Sequence, residues 1–314
     1  MAAEDAAGDP LTGSAPIGIV GAGRVAQALG RLLHDRGEPI AALTSRNQAH
    51  AAHAAAFIGS DVQVVDPSQL PRLVSRIIIA VSDDSIEATA GMLADAGIHG
   101  GVALHTCGAR GPEALAPLRA AGVACGVLHP LQSIPDATRG LSSLEGVTFG
   151  VGGDAAALEW AERIVALLRG RSLRVNDGAF PAYHAGAVMA GNHLIAVVDA
   201  AAVLLGRAGI SYADAISVIG PLCRTSLANA LEAGPAAALT GPVARGDAGT
   251  VAVHLDAIAG APESVSALYR AATGHLIDLA RQRGLGASQV RQLQRLLEPR
   301  KAEDTDESHT RQNH

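Results

Sequence analysis

Residues 17–26 read IGIVGAGRVA, and this stretch decides the fold class of the first half of the chain. Its four leading residues are typical of a buried strand, and the apolar residues that follow recur with the spacing of a helix. A strand that runs through G-x-G-x-x-A into a helix is the dinucleotide-binding fingerprint, because its glycines permit a tight turn and close approach of the backbone to a pyrophosphate. The alternative is a glycine turn of purely structural use. Five residues are expected to contact the cofactor: Gly21, Ala22, Gly23, Arg24 and Val25.

Short apolar runs alternate with helix-like segments in this half of the chain, which is typical of a parallel sheet covered by helices on both faces. Eight strands are predicted, at residues 17–20, 40–44, 62–65, 77–81, 102–105, 122–129, 147–151 and 172–175. The last two flank a helix-like segment at 155–168 and are expected to extend the same sheet. From about residue 178 the strand pattern stops, and alanine-, leucine- and valine-rich helical patterns continue to about residue 297.

These changes of pattern divide the chain into four parts. We predict a disordered tail at 1–15, a doubly wound α/β domain at 16–177, an all-α domain at 178–297 and a second disordered tail at 298–314. The most apolar long stretch, at 185–205, is interrupted by Asn192, His193 and Asp199, which are costly inside a bilayer. We therefore expect this stretch to be a buried helix.

The composition is that of a soluble globular protein, with 48% hydrophobic residues among 314. A net charge of −6 leaves no overall basic field for nucleic acid or an anionic membrane. Three cysteines without a C-x-x-C pair indicate neither a disulfide framework nor a zinc site. The first fifteen residues contain no Lys or Arg, unlike a secretory signal. We expect a cytoplasmic protein that binds neither nucleic acid nor membrane and holds no metal.

The end of the second strand indicates which dinucleotide is bound. It reads Thr44-Ser45-Arg46, where an NAD-specific site would carry Asp or Glu for the ribose hydroxyls. Ser45 and Arg46 are donors that suit a 2'-phosphate, and Arg24 adds a second cation, so NADP is the predicted cofactor. The alternative is that Arg46 is a solvated loop charge.

Polar residues follow two further strands of the sheet, where ligands of open α/β folds bind. Those expected at the nicotinamide end of the cofactor are Ser82, Asp83, His105 and Thr106, and the neighbouring Val81 is also assigned to cofactor binding. Turn chemistry is the alternative, since Ser and Asp often cap the next helix, and for Asp83 and Asp84 capping is the favoured interpretation.

The sixth strand ends in His129-Pro130-Leu131-Gln132-Ser133. The unperturbed pKa of histidine allows proton donation near neutrality, so His129 is a candidate proton donor, and Gln132 is assigned to substrate binding. The alternative is a structural histidine bonded to a loop carbonyl.

A second candidate for substrate binding lies in the helical half, in the loop TGPVARGD at 240–247. The guanidinium of Arg245 suits a carboxylate, which favours a substrate that carries one. Asp247 is at least as well explained as the cap of the following helix.

Several motifs together resemble the bacterial proteins that combine a Rossmann-like domain with a DUF2520 domain, relatives of the 6-phosphogluconate-dehydrogenase-like superfamily. Besides the glycine turn, the motifs are HTCGA at 105–109, HPLQ at 129–132, YHAGA at 183–187, PLCRT at 221–225 and LTGPVARGD at 239–247. The likeness covers about residues 16–297. It implies an NADP-linked Rossmann domain followed by an all-α domain that dimerises, and it supplies no substrate.

The superfamily also includes β-hydroxyacid dehydrogenases, ketopantoate reductases and pyrroline-5-carboxylate reductases. The resemblance implies that a long helix opening the second domain presents a polar residue and an Asn towards the nicotinamide. Here His184, Val188 and Asn192 follow one another at spacings of four, on one helical stripe. His184 stands where several relatives have Lys, which leaves His184 or His129 as the proton donor and Asn192 as a contact to the substrate.

The resulting hypothesis is an NADP-dependent oxidoreductase that reduces a small carboxylate-bearing carbonyl or imine compound and forms a homodimer through its helical domain. The alternative is a non-catalytic dinucleotide-binding sensor or scaffold with the same fold, because fold alone does not decide function. A deazaflavin-linked oxidoreductase is a second enzymatic alternative.

Overall fold

The computed structural model describes residues 15–298, so the predicted disordered tails lie outside the described residues except for Ala15 and Glu298. Within this range eight strands form one sheet. They are β1 (Ile17–Val20), β2 (Ile40–Thr44), β3 (Gln63–Val64), β4 (Arg76–Ile79), β5 (Val102–His105), β6 (Ala124–Pro130), β7 (Thr148–Gly153) and β8 (Arg171–Arg174). All eight coincide with predicted strands. Strand β4 ends at Ile79 rather than at 81, so Ala80 and Val81 belong to the turn beyond it.

The strand order is β3-β2-β1-β4-β5-β6-β7-β8, and the strands from β3 to β6 are parallel. The chain moves outward from β1 in one direction to β3 and then in the other direction from β4, so the order reverses between β1 and β4. Open α/β sheets bind ligands at such a reversal, beyond the carboxyl ends of the strands. The doubly wound fold class predicted for this half of the chain is confirmed.

Strand β7 departs from the predicted all-parallel sheet, because it runs antiparallel to β6. Phe149 at its start pairs with Pro130 at the end of β6, so the chain re-enters the sheet at the edge where it left. A parallel neighbour would require the chain to cross back to the end of the sheet where β6 begins, and the connection between β6 and β7 does not do so. Strand β8 then pairs parallel to β7, so the predicted extension of the sheet is confirmed while the predicted direction of β7 is wrong.

Helices cover both faces of the sheet. They are α1 (Arg24–Asp35), α2 (Gln48–Ile58), α3 (Ile86–Asp95), α4 (Ala116–Ala120), α5 (Ala137–Ser143) and α6 (Ala155–Leu167), with 3-10 turns at Leu70–Arg72, Asp83–Ser85 and Pro112–Leu115. Successive side chains of a strand point to opposite faces. Accordingly Ile78 packs in the core beneath α1, α2 and α6, whereas Ile77 and Ile79 pack in the core beneath α3 and α4.

An ionic cluster is buried where β4 begins. Arg76 is fully buried, and its guanidinium lies 3.0 Å from the carboxylate of Glu38, which is itself 2.8 Å from the guanidinium of Arg163. Arg76 also donates to the carbonyl of Ala15 over 2.9 Å and lies over the ring of Trp160, 5.6 Å from its centroid. This cluster ties the strand to three other segments of the first unit.

The chain divides into two compact units, the first ending at Gly191 and the second beginning at Asn192. The domain boundary predicted at 177/178 stays a prediction. The helices from here on are α7 (Phe180–Val188), α8 (Leu194–Arg207), α9 (Tyr212–Ala233), α10 (Pro235–Ala238), α11 (Gly241–Arg245), α12 (Ala248–Ala257), α13 (Glu263–Gln282) and α14 (Ala287–Leu297), with a π turn at Met189–His193. The core of the second unit is formed chiefly by α11 to α14, around Val251, Ile277 and Leu293. The predicted change to an all-helical second half is confirmed.

The long helix Phe180–Arg207 is not the buried helix that the sequence predicts. Only 11% of its most apolar window is buried in the single chain. The reason is that α8 contributes little to the core of the second unit. Ala202 is its one buried residue in the described part of the chain, and Leu204 packs partly buried against that core. By length and composition alone, this helix is also apolar enough to cross a membrane.

Candidate cofactor and substrate site

A cavity of about 800 Å³ lies beyond the carboxyl ends of β1, β2, β4 and β5. It occupies the place where the strand order reverses, as expected for a ligand site of this fold. The ten residues assigned to cofactor binding from the sequence all line it: Gly21, Ala22, Gly23, Arg24, Val25, Ser45, Arg46, Val81, Ser82 and Thr106. Four different strand ends therefore contribute to one cavity.

The glycine turn after β1 has the shape that a dinucleotide requires. Gly21 has φ +117°, and a Cβ there would collide with the carbonyl of Ala80. A Cβ on Gly23 would meet nothing within 4 Å, so the turn is open on the side of the cavity. Gly23 is the N-cap of α1 and supplies no side-chain cap, which leaves the first amides of α1 available to an anion. The residues present therefore fit a bound pyrophosphate.

Beyond β2, the rim of the cavity is polar and carries no acid at the position of the ribose contact. Asn47 accepts a hydrogen bond from the amide of His50 over 3.0 Å and thereby starts α2. Gln48 and His50, in the first turn of α2, line the cavity together with Arg46. The sequence prediction included Arg46 and missed Gln48 and His50. The signal that could have indicated them is their position beside Arg46, in the first turn of a helix that Asn47 caps.

Arg24 is not a free cation at this rim. Its guanidinium donates to the carbonyl of Pro135 over 3.0 Å, which ties the start of α1 to the loop after β6. Its predicted role as a second cation for a 2'-phosphate stays a prediction.

His105 does not point into the cavity as the sequence predicts. It is fully buried, with Nε2 2.9 Å from the carbonyl of Gly111 and Nδ1 accepting the amide proton of Cys107 over 3.2 Å. Both ring nitrogens are thus bonded within the turn after β5, and burial lowers the pKa of His105. The side chain shapes that turn, and its neighbour Thr106 lines the cavity instead.

The thiol of Cys107 is not a nucleophile at neutral pH. Burial and a hydrogen bond with Asp83 raise its pKa to about 11, so the thiolate that nucleophilic attack requires is scarce. Chemistry at this site depends on other groups.

His129, at the end of β6, lies in a cluster of rings. Its Nδ1 is 2.9 Å from the hydroxyl of Tyr183, and its ring meets the ring of His184 edge-on with centroids 5.6 Å apart. The other ring nitrogen lies over Gly108, where a Cβ would come within 2.6 Å of Nε2. The structure therefore brings together the two histidines between which the sequence left the proton donor open.

His129 does not titrate near neutrality as a free histidine would. Burial, together with electrostatic repulsion between the two imidazoles of His129 and His184, lowers the pKa of His129 to about 4 against an opposing effect of Asp83. Asp83, whose charge acts on His129, also lines the cavity. At pH 7 the imidazole is neutral, so it acts through an N–H group rather than as an imidazolium.

Tyr183 is the member of this cluster that sequence reasoning missed. It occurs in the YHAGA motif, but no property of that motif assigns a role to its hydroxyl. Its ring packs on β7, where a Cβ on Gly150 would come within 2.5 Å of the hydroxyl oxygen. A glycine inside a strand often marks such a close approach, and Gly150 was therefore the available signal.

The remaining predicted residues are exposed or engaged locally. Gln132 is exposed, and its side-chain oxygen accepts the amide proton of Ser133 over 2.8 Å. Asn192 is exposed in the π turn, through which the regular spacing of four residues does not hold. Arg245 is an exposed residue at the end of α11. Asp247 caps α12 by accepting the amide proton of Thr250 over 3.0 Å, which confirms its capping interpretation.

Structures of similar fold include several proteins that are oxidoreductases by name. BF3122 from Bacteroides fragilis, provisionally named an NADP oxidoreductase, is 20% identical over 84% of this chain and 98% of its own, with a TM-score of 0.68. An imine reductase from Pseudomonas sp. is 18% identical over 89% and 99%, with a TM-score of 0.59. A reductive aminase from Aspergillus terreus, in complex with NADPH and ethyl-5-oxohexanoate, is 16% identical over 90% and 92%, with a TM-score of 0.57. At these identities the likeness shows a shared fold.

Family models match two successive parts of the chain. Residues 1–130 match the Rossmann-like domain, and residues 147–276 match the domain of unknown function DUF2520. No curated protein matches the chain. The chain therefore carries a Rossmann-like domain followed by a DUF2520 domain, the combination that its motifs resemble.

Proposed function

We propose that the protein is an NADP-dependent reductase of a small carboxylate-bearing carbonyl or imine compound. The observation that carries the proposal is the position of the His129 cluster. Thr106 lines the cofactor-sized cavity, and two residues further on Gly108 packs against both His129 and His184. A candidate proton donor therefore lies at the same edge of the sheet as the dinucleotide fingerprint. Relatives of this fold named as imine reductases and reductive aminases support the imine option.

The chain's own residues account for the binding of the cofactor. The first amides of α1 would hold the pyrophosphate, and Ser45 and Arg46 would hold a 2'-phosphate. Bound NADPH supplies a hydride to the substrate. Reduction of a carbonyl or imine also requires a proton, and His129 is placed to deliver it through Nε2.

A panel assay tests this function directly. NADPH oxidation is followed spectroscopically with small oxo acids and with cyclic and open-chain imines, with and without a carboxylate. We expect turnover of at least one carboxylate-bearing member and weaker turnover of its ester. Tight NADPH binding without turnover of any member would favour the sensor or scaffold, and a spectral response to a deazaflavin but not to NADPH would favour the second enzymatic alternative.

The choice of cofactor gives a sharper prediction. NADPH should bind more tightly than NADH, and Arg46→Asp should weaken NADPH binding about thirtyfold, because one charged contact of about 2 kcal/mol is lost. NADH binding should change little. Fluorescence titration measures both affinities. Arg72→Asp is the matched control, since it makes the same charge change at an exposed position that does not line the cavity. Equal affinity of the unmodified protein for both cofactors would contradict the assignment.

We also propose a symmetric homodimer through residues 178–297. Large apolar side chains are exposed on α8 and α9, among them Ile195 at 69% and Leu222 at 67%. Large apolar side chains exposed in number on two helices indicate an interface, and symmetric dimers are the commonest solution. Light scattering at micromolar concentration should give twice the mass of the chain, and Leu222→Glu should give monomers.

Val253→Glu is the control for this prediction. Val253 is also 67% exposed, but it lies on α12 and not on α8 or α9. The control should remain dimeric. A monomer at micromolar concentration in the unmodified protein would contradict the proposal.

A further inference from the structure

The hydrogen bond between His129 and Tyr183 uses one ring nitrogen and leaves the other free. Nδ1 lies 2.9 Å from the tyrosine hydroxyl, and the two rings meet edge-on at 90°. No group within residues 15–298 bonds to Nε2, and this nitrogen is not among the fully buried polar atoms without a partner. Nε2 is therefore a ring nitrogen without a partner in this part of the chain, next to Gly108.

Tyr183 is held in place by the strand on which it packs. Gly150 pairs with His129 across the ladder between β6 and β7, and the tyrosine hydroxyl occupies the space that a side chain on Gly150 would fill. On the other side, the ring meets Phe180 edge-on at 6.2 Å, and Phe180 is fully buried over Gly152. The hydroxyl therefore has little freedom to turn away from His129.

The protonation of the phenol bears on which partner donates. Burial raises the pKa of Tyr183 against an opposing effect of the Gly150 backbone, so the phenol keeps its proton. That proton is available to Nδ1, which lies 2.9 Å away. In a neutral imidazole one nitrogen accepts and the other donates. A hydroxyl that donates to Nδ1 thus places the ring proton on Nε2, the nitrogen without a partner among residues 15–298.

We propose that Tyr183 and His129 form a proton relay in which Tyr183 is the source of the proton and His129 passes it to the substrate through Nε2. As the Nε2–H bond breaks and the proton joins the substrate oxygen or nitrogen, the O–H bond of Tyr183 breaks and an Nδ1–H bond forms. His129 remains neutral throughout, in the opposite tautomer, and Tyr183 becomes a phenolate. The Nδ1 proton then returns to the phenolate oxygen while a proton from solvent binds Nε2, which restores the phenol and the starting tautomer. The relay rests on the proposed reductase function.

A relay explains how His129 can donate a proton at pH 7 although its ring is neutral. With a pKa of about 4, His129 is an imidazolium in only about one molecule in a thousand at pH 7. The charged and titratable groups that act on it are His184, Asp83 and His105, and two of these three oppose its protonation. Passing a proton through the neutral ring avoids forming that cation. Tyr183 acts through His129 and is a positioning residue and proton source, not a group that touches the substrate.

The tautomer of His129 provides a test that needs neither substrate nor cofactor. Nitrogen NMR of the full-length protein should show the His129 ring protonated at Nε2, with Nδ1 as the acceptor. Tyr183→Phe removes the hydroxyl and keeps the ring on Gly150, and we expect the signal to shift towards a mixture of tautomers. A second pair in the chain offers a matched control, because Nδ1 of His254 lies 2.9 Å from the hydroxyl of Tyr269. Tyr269→Phe should change the signal of His254 and leave that of His129 unchanged.

The pH profile of turnover is the second readout. The unmodified enzyme should lose activity at alkaline pH as Tyr183 deprotonates, and it should show no acidic limb near pH 6.5. Tyr183→Phe should lower turnover by about 10- to 100-fold, less than the loss of the donor itself, and should abolish the alkaline limb. NADPH affinity should stay the same.

Each result separates the relay from the reductase function. A ring proton on Nδ1 of His129 in the unmodified protein would overturn the relay, since the hydroxyl would then accept. Unchanged turnover and pH profile in Tyr183→Phe, with an active parent, would overturn the relay alone. No turnover in the unmodified protein, with the expected tautomer present, would overturn the reductase function and with it the use of the relay.

Discussion

Replacing His129 by Asn should lower turnover about 100- to 10,000-fold, the contribution typical of a positioned acid, while NADPH affinity stays nearly unchanged. The reason is that His129 is the proposed donor through Nε2, whereas the glycine turn that would hold the cofactor is formed by other residues. Turnover and NADPH affinity are measured separately, by steady-state kinetics and by fluorescence titration. We expect a smaller loss for His184→Asn, since His184 contacts His129 through its ring and lies on a helix rather than at a strand end.

His99→Asn is the control for both histidine variants. His99 is exposed in the turn before β5, where its Nδ1 lies 3.1 Å from the carbonyl of Gly97. Its replacement should leave turnover unchanged. If His129→Asn and His184→Asn both retain near-normal turnover with an established substrate, the proton comes from water or Thr106 and the donor assignment is wrong.

Replacing Glu38 by Leu should lower the free energy of unfolding by about 3 to 5 kcal/mol, because the substitution leaves Arg76 charged and unpaired inside the protein. Arg76→Met should cost less, since Arg163 continues to pair with the carboxylate of Glu38. The double variant Glu38→Leu/Arg76→Met should recover most of the loss, because an apolar pair of similar volume often replaces a buried ion pair without a net cost.

Urea unfolding followed by tryptophan fluorescence measures this effect. Trp160 is the one tryptophan of the chain, and it is buried beside the guanidinium of Arg76, so it reports on the first unit. Arg174→Met is the control, because it breaks the exposed pair with Glu162 and should hardly shift the midpoint. A double variant as unstable as Glu38→Leu alone would show that the cluster acts through packing rather than through charge.

Features encoded in short stretches were predictable from the sequence, and this covers most of the fold. The strand, turn and helix around Gly21 follow from residues within one stretch, because the tight turn, the apolar spacing and the helix start are all local. The direction of β7 was not predictable in this way. It depends on whether the connection after Pro130 re-enters the sheet at the end where β6 stops or crosses to the other end. The residues of that connection are compatible with both paths.

The candidate site was predictable in its residues more than in its chemistry. Ends of parallel strands meet at one edge, so residues after β1, β2, β4 and β5 could be assigned to one cavity without knowing the strand order. The pKa of His129 depends instead on burial and on His184, and its partner Tyr183 lies 54 residues away in sequence. Such effects come from tertiary packing. For the same reason the apolar helix at Phe180–Arg207 could not be placed inside or outside the core by its hydropathy.

The three glycines around the ring cluster limit how this protein can be engineered for thermal stability. Gly108, Gly150 and Gly152 lie outside the positive-φ region, so replacement by Ala would be chosen to stiffen the unfolded chain, a gain of about 0.4 to 1 kcal/mol per site. At each of them, however, a methyl group would come within 3.0 Å of an aromatic or imidazole ring. Alanine at these positions would displace the rings, and the cost of that displacement would offset the gain from the stiffer unfolded chain. Libraries for directed evolution should therefore keep these three codons fixed.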